Sequence, residues 1–164
     1  MVVIVLLILC LIALCFLIYR KEKRAEILQR NISFIDSIRL TGFPIISLGN
    51  NGLYVNMILD TGSNRTIINT NTLKDLEYEC LEADSQVFGL NGETQNGGYV
   101  RLPLYYNNQK YSIDCCSMDM EQTFSKMKQQ FGVTVHGIIG TDFFEKYKYV
   151  LDFNKMVAYS IRKT

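Results

Sequence analysis

Histidine is almost missing from this sequence, since His136 is the only one among 164 residues. No Cys-x-x-Cys pair and no Cys/His spacing is found beside it, which disfavours a zinc site. One histidine without a supporting motif equally disfavours a Ser-His-Asp triad. We therefore expect no metal and no other cofactor, and we interpret His136 as a solvated or hydrogen-bonded side chain with no catalytic role.

An excess of one charge sign is also lacking, because 17 Lys and Arg stand against 16 Asp and Glu, a formal net charge of +1. Such a chain has no basic field to attract nucleic acid, which is therefore not an expected partner. Proline is scarce at 2 and glycine is ordinary at 11, so no low-complexity segment is indicated. The length suits one domain with an appendage and excludes two full lobes.

The cysteines do not form a disulfide framework. Of five cysteines, Cys10 and Cys15 lie in an apolar run, which leaves Cys80 and the adjacent Cys115-Cys116 for the domain. Three is an odd number for disulfide pairing, so we predict buried free thiols and a reducing compartment.

Residues 2–19 form an uncharged apolar run that would reach roughly 27 Å as a helix, near the thickness of a bilayer core. A cleaved signal peptide is the alternative, but the run lacks a basic start. It is followed by Arg20-Lys21-Glu22-Lys23-Arg24 instead of a small-residue cleavage site. We predict a single-pass membrane anchor over 1–20, a polar stalk over 21–32 and a domain over 33–164. The basic cluster places that domain in the cytoplasm by the positive-inside rule.

Alternating or apolar stretches bounded by turn residues predict a domain built mainly of strands. Gly49-Asn50-Asn51-Gly52, Asn91-Gly92 and Asn107-Asn108 are typical hairpin turns, because asparagine and glycine tolerate positive φ angles. The predicted strands are residues 33–40, 43–48, 53–59, 66–68, 99–106, 110–116, 149–153 and 156–161.

Two short helices are predicted among these strands. Met120, Phe124, Met127 and Phe131 fall on one helical face, which we interpret as core. A second helix follows residue 140, with Thr141 or Asp142 near its N-cap. The predicted fold class is all-β, mainly antiparallel and closed-barrel-like, with one or two short helices and a preceding transmembrane helix.

The motif Leu59-Asp60-Thr61-Gly62-Ser63 places one carboxylate in a tight turn directly after an apolar strand. Gly62 lets the chain double back into a second apolar strand. An aspartic protease presents its catalytic carboxylate in this way, and there two carboxylates share one proton and activate a water between them. Because the motif occurs once, an active site of this kind requires two chains.

Residues 38–161 resemble the retropepsin-like (retroviral-type) aspartic proteases, in particular the single-lobe bacterial membrane-anchored type. Three elements carry the resemblance in the expected order. They are Ile58-Leu59-Asp60-Thr61-Gly62-Ser63, the hairpin Phe88-Gly89-Leu90-Asn91-Gly92, and Gly137-Ile138-Ile139-Gly140-Thr141-Asp142-Phe143-Phe144. A bare Asp-Thr-Gly is weak by itself, whereas three ordered elements are specific.

The resemblance implies a role for each motif. Asp60 would be the catalytic carboxylate of a homodimer, with Thr61, Gly62 and Ser63 supporting it. The flap over a peptide bound as an extended strand would be Phe88, Gly89, Leu90, Asn91 and Gly92. Ile138, Ile139 and Gly140 would pack behind the catalytic turn in a structural role. Asp142 and Asp152 are not followed by Thr-Gly, so we interpret them as a helix cap and a strand-end residue.

Two functions stay open at this point. The first is a membrane-anchored, homodimeric aspartic endopeptidase that cleaves protein or peptide substrates. The second is a non-catalytic, membrane-tethered module that keeps the fold and binds extended peptides, which the intact Asp-Thr-Gly-Ser argues against. For the first, Asp60 should lie at the floor of an open groove.

Overall fold

The computed structural model describes residues 10–18, 32–88 and 94–161, and of residues 82–88 and 94–96 only the backbone is considered. These ranges hold one seven-stranded sheet, in the order β1-β2-β7-β3-β6-β5-β4, and a separate β8-β9 hairpin. The strands are β1 Ile45–Asn50, β2 Leu53–Leu59, β3 Ile67–Asn69, β4 Glu79–Phe88, β5 Thr94–Tyr106, β6 Gln109–Met118, β7 Gly137–Ile139, β8 Tyr149–Asp152 and β9 Val157–Ser160.

The large sheet closes on itself, because β1 also pairs with β5 where Gly49 faces Tyr105. Six strands thus form a barrel, and β4 extends it beyond β5 as one arm of a hairpin. Only the β2–β7 and β3–β6 ladders are parallel within the described sheets. The predicted all-β, mainly antiparallel, closed-barrel-like fold is confirmed.

The core fills the barrel and continues beneath the short helices. Leu48, Met57, Ile68, Leu102 and Leu104 are fully buried at 0% exposure, which makes the barrel interior a continuous apolar core. A second cluster joins Phe124 of the helix after β6 to Ile32, Ile45, Val133 and Val135. Burial of this apolar surface is the main favourable contribution to folding.

Within described residues 32–88 and 94–161, three short α-helices accompany the strands, against the one or two predicted: α1 Phe34–Thr41, α2 Glu121–Phe131 and α3 Thr141–Tyr147. A 3₁₀ helix spans Thr70–Asp75. α2 buries Phe124 as predicted. The N-cap of α3 is Gly140 and not a Thr or Asp side chain.

The prediction of a strand over 33–40 is wrong, because this segment is α1. Ser33 caps the helix by accepting a hydrogen bond from the Asp36 N–H, and Gly42 ends it at φ 77°. Cap and stop signals of this kind define a helix whose apolar residues Phe34 and Ile38 are four apart. The apparent period-two alternation was therefore misleading.

The cysteine prediction is confirmed in part. Cys115 and Cys116 are buried thiols that form no disulfide, and burial raises the pKa of Cys115, which keeps it protonated. Cys80 forms no disulfide either but is exposed, so its predicted burial is wrong.

The predicted membrane anchor is described only over residues 10–18, which are helical and exposed. Within the described ranges no helix has both the length and the apolarity needed to cross a bilayer. Most of the predicted stalk lies outside those ranges.

Asn56 and His136 form a part-buried hydrogen-bond network between β2 and the segment leading into β7. The Asn56 N–H donates to Nδ1 of His136 over 2.9 Å, and the His136 N–H donates to the Asn56 carbonyl over 2.8 Å. Nδ2 of Asn56 donates to the Thr134 carbonyl, and Ser47 donates to its Oδ1. Burial lowers the pKa of His136, which the Lys128 charge lowers further, so the imidazole is held neutral.

This network predicts a pH dependence of stability. In the unfolded chain His136 protonates near pH 6.5, and in the folded chain only at lower pH. The unfolded state therefore gains a proton first, and the free energy of unfolding should fall as pH drops below about 6.5 and level off below the lowered pKa. Denaturant unfolding between about pH 5 and 8 measures the effect.

His136→Asn is the matched control, because an Asn carbonyl oxygen can accept the Asn56 N–H without titrating in this range. The difference in unfolding free energy between the two chains should shrink toward acid pH. A difference that stays constant with pH would contradict a neutral His136 in the folded chain.

Candidate active site

Asp60 follows the last residue of β2 and begins a tight turn whose geometry is set by its own backbone. The Gly62 N–H donates to Oδ1 of Asp60 over 2.8 Å, and the Ser63 N–H donates to the Asp60 carbonyl over 3.2 Å. A Cβ on residue 62 would lie 3.1 Å from that same Oδ1, so glycine leaves room for the carboxylate. The turn thus fixes the carboxylate by a charge-assisted hydrogen bond.

Strand β7 and the start of α3 hold this turn from behind. The Asp60 N–H donates to the Ile139 carbonyl over 2.9 Å, and the Thr141 N–H donates to the Ser63 carbonyl over 2.8 Å. Ile138 and Ile139 pair in parallel with Ile58 and Leu59. Two segments about 80 residues apart in sequence therefore fix both ends of the Asp60 turn.

Gly140 allows the closest approach between these segments. A Cβ at this position would lie 2.4 Å from the Arg65 carbonyl oxygen and 2.8 Å from its nitrogen. Backbone atoms cannot yield at such distances, so only glycine fits. The Gly140 N–H also donates to the Thr66 hydroxyl over 3.2 Å.

Asp142 binds the strand that leaves the turn. Its Oδ2 accepts the Thr66 N–H over 2.9 Å, and its Oδ1 accepts the Thr66 hydroxyl over 2.7 Å and the Phe143 N–H over 2.8 Å. Both oxygens are therefore engaged in structural hydrogen bonds. Asp142 therefore stabilises the strand that leaves the turn and does not serve as a second acid beside Asp60.

An open cleft of about 500 Å³ lies on the free side of the turn. Asp60 is half-buried at its edge and Thr61 is exposed. The remaining wall is mostly apolar: Pro44, Leu59, Thr141, Phe144, Tyr149, Leu151 and Phe153. Asp60 is the only carboxylate among these lining residues, which gives the cleft one acid on an apolar surface.

Tyr149 closes one side of the cleft without adding a charge. Burial raises the pKa of its phenol, with smaller contributions from Tyr106 and Tyr111, so the group stays protonated. Its hydroxyl donates to the Ala158 carbonyl over 3.4 Å. Tyr149 therefore shapes the wall and does not compete with Asp60 for protons.

The predicted flap lies mostly outside the described residues. Residues 89–92 are not described, and of Phe88 only the backbone is, at the end of β4. The β4–β5 register runs to the pair Phe88 and Thr94. The predicted flap tip therefore lies outside the described residues.

Two features of the site were not found from the sequence. The Thr66–Asp142 hydrogen bonds join residues 76 apart, and no local pattern marks such a pair. The contribution of β8 and of Phe153 to the cleft was also missed. The only local signal was the apolar character of residues 149–153, which predicted a strand. It did not predict that this strand would line the cleft beside Asp60.

A comparison with protein families finds no match to this sequence, and a comparison with curated proteins finds none either. Among solved structures, the protease of EIAV with the inhibitor HBY-793 is similar at 15% identity and a TM-score of 0.48, covering 63% of this chain and 86% of that one. The retroviral protease-like domain of Ddi1 from Leishmania major is similar at 13% identity and a TM-score of 0.49, covering 71% and 84%.

The close approach at Gly140 yields a stability prediction. Gly140→Ala should lower the free energy of unfolding by at least about 2 kcal/mol, because the new methyl group meets backbone that cannot move without breaking the turn. Chemical denaturation measures this loss.

Gly98→Ala is the matched control in β5, since a Cβ there meets nothing within 4 Å. Its unfolding free energy should change by less than about 1 kcal/mol. Equal effects at the two positions would contradict the packing described for Gly140.

Proposed function

We propose that this chain is an aspartic endopeptidase, active as a homodimer and held at a membrane by its N-terminal segment. The observation that carries the proposal is the Asp60 carboxylate, oriented by Gly62 at the edge of an open cleft. Asp60 is half-buried and lines this cleft.

The proposed reaction is hydrolysis of a peptide bond by an activated water. One ionised Asp60 accepts a proton from the water as its oxygen attacks the peptide carbonyl carbon, while a protonated second carboxyl donates to the carbonyl oxygen. The tetrahedral intermediate then breaks its C–N bond as the first carboxyl gives its proton to the nitrogen, and the second carboxylate regains a proton from a hydroxyl of the intermediate as the new carboxyl group forms. This chemistry requires two carboxyl groups of different protonation state at one water.

A second copy of the chain is the proposed source of the other carboxyl group. Asp60 is the single carboxylate that lines the described cleft, and both oxygens of Asp142 are already engaged. A two-fold axis near the turn brings Asp60 together with the partner's Asp60 and supplies a symmetric pair. Thr61 is exposed beside Asp60 and lies where the two turns would meet.

The proposed substrate is a protein segment in extended conformation. The cleft is lined by apolar side chains from β8 and α3, such as Leu151 and Phe144, which suit apolar side chains of a substrate. The long β4–β5 hairpin is the proposed flap, closing over the substrate and excluding water.

Asp60→Asn tests the proposal directly. The variant should cleave a peptide library at least about 100-fold more slowly, because an amide cannot act as general base or acid. Asp75→Asn is the matched control, since Asp75 is exposed in the 3₁₀ helix, away from the cleft. If the unaltered chain binds peptides but does not cleave them, the non-catalytic module is favoured instead.

Mixing the unaltered chain with Asp60→Asn chains tests whether the site is shared. With random pairing, an equal amount of the variant should reduce cleavage to roughly half, because half of the unaltered chains then pair with a variant. Asp75→Asn chains should cause no reduction. Cleavage that is indifferent to added Asp60→Asn would mean that one chain acts alone.

Membrane attachment is the third part of the proposal. Leu11, Leu14 and Leu17 are 58–66% exposed in helical residues 10–18, which leaves apolar side chains for a bilayer. The full chain should float with lipid vesicles, whereas a chain beginning at Ile32 should not. Equal flotation of the two would remove the anchor from the proposal.

A further inference from the structure

A second cavity, of about 460 Å³, lies beside α2 at the end of β7 opposite to the Asp60 turn. Its walls come from the 3₁₀ helix, from α2 and from residues 134–136, which lead into β7. It shares no lining residue with the cleft that holds Asp60. Its volume lies in the range of small-molecule sites, so we consider which ligand its side chains would bind.

One side of α2 lines this cavity with an acid at one end and a base at the other. Phe124, Ser125 and Lys128 follow Glu121 by three, four and seven residues, and these spacings place all four on the same side of the helix. Seven residues correspond to about 10 Å along a helix axis. Buried Phe124 therefore separates an acidic end from a basic end about 10 Å away.

Glu121 has one oxygen available at the acidic end. Nδ2 of Asn69 and Nδ2 of Asn71 both donate to its Oε2, over 3.2 Å and 3.3 Å. Within described residues 32–88 and 94–161, its Oε1 accepts no hydrogen bond and its carboxylate forms no salt bridge. The two amides thus hold the carboxylate in place and leave Oε1 to accept a hydrogen bond from a ligand.

His136 and Lys128 supply hydrogen-bond donors at the basic end. Nδ1 of His136 accepts the Asn56 N–H, so the proton of the neutral ring is on Nε2. The ring lines the cavity, and no acceptor for Nε2 is found among the described residues. The pKa of His136 is lowered by burial and, to a smaller extent, by the charge of Lys128, which places that ammonium group near the ring.

The charges around the cavity cancel in sum but do not pair with one another. Lys74 and Asp75 of the 3₁₀ helix add one charge of each sign to those of Glu121 and Lys128. In the described part of the chain, no salt bridge includes any of these four groups. A simple anion or cation would be repelled by half of them, whereas a ligand that carries both signs can match each end.

The distance between the two ends sets the size of such a ligand. Two contacts of about 2.8 Å leave about 5 Å of the 10 Å between the ligand's own charges. In one α-amino acid the ammonium and carboxylate groups are bonded to the same carbon. A dipeptide has two Cα atoms about 3.8 Å apart, so its charged ends are separated by about the required distance.

We propose that the cavity between α2 and the 3₁₀ helix is a binding site for a dipeptide with free ends. The ammonium group of the dipeptide donates to Oε1 of Glu121, and its carboxylate accepts from Lys128 and from the Nε2–H of His136. Phe124 and Val135 are buried and form the apolar floor beneath the ligand. This site is separate from the proposed active site and does not require cleavage by Asp60.

The imidazole of His136 reports binding directly, because it is the only histidine in the chain. Its ring signals are followed by NMR while alanyl-alanine is added to the untagged full chain in mild detergent, and they should shift in a saturable way. Acetylation of the amino end or amidation of the carboxyl end should each raise the dissociation constant at least about tenfold, because one charge pair is lost. No shift, or equal affinity for the blocked dipeptides, would overturn the proposal.

Glu121→Gln and Lys128→Gln test the two ends separately. Glu121→Gln keeps an oxygen that can accept from the asparagine amides, and it should remove only the preference for a free amino end. Lys128→Gln should reduce only the preference for a free carboxyl end, at least about threefold. Lys126→Gln is the matched control, since Lys126 is exposed on α2 and does not line the cavity.

The control variant should bind alanyl-alanine within about twofold of the unaltered chain. Asp60→Asn should also bind it normally, which would support a site separate from the cleft even if the proposed cleavage fails. Loss of the His136 shift in Asp60→Asn would instead place the dipeptide at the cleft and overturn the inference. Glu121→Gln and Lys128→Gln chains that discriminate among the dipeptides like Lys126→Gln would overturn it as well.

Discussion

The insertion of β7 between β2 and β3 is the constraint on which the rest of the structure depends. β7 runs parallel to β2 and antiparallel to β3, so it links the two strands that flank the Asp60 turn. Glycines at both ends make this possible. A Cβ on Gly137 would lie 2.3 Å from the Ile67 carbonyl oxygen, and one on Gly140 would lie 2.4 Å from that of Arg65. Main chains approach here at distances that side chains would prevent.

This packing makes the Asp60 turn rigid within one chain, whereas the proposed chemistry requires two chains. The hydrogen bonds from Asp60, Gly62 and Thr141, and those from Thr66 to Asp142, lie within one chain. The carboxylate is therefore positioned before any partner arrives, at no cost in ordering when one does. One chain nevertheless lines its cleft with a single acid. The fold thus provides a finished half of the proposed site.

The sequence was sufficient to predict an element where the local residue pattern agrees with the place of that element in the fold. β2 was predicted over 53–59 with its observed bounds, because its mostly apolar run and the preceding Asn-Gly turn point the same way. The Asn51 and Gly52 φ angles of 44° and 84° are those that such a turn requires. The placement of Asp60 after this strand followed directly.

The sequence was insufficient where long-range contacts decide. Residues 33–40 carry apolar side chains at both strand and helix spacings, and the helix is selected by the Ser33 cap and by Ser37, whose hydroxyl accepts the Ile45 N–H. The brace between Asp142 and Thr66 has no local signature either. Asp142 was expected as a helix cap, and its Oδ1 does accept the Phe143 N–H, but its main partner is Thr66. Such pairings exist only once β7 has brought the segments together.

In the proposed function, association of two chains is the step at which activity can be controlled. Since the turn is complete within one chain, a partner would add a carboxyl group without rebuilding the first one, so in the proposed function activity would follow the population of dimers. The proposed attachment of both chains to one membrane would raise their effective concentration and favour the pair without any new contact. The density of the protein at the membrane would then set how many sites are complete.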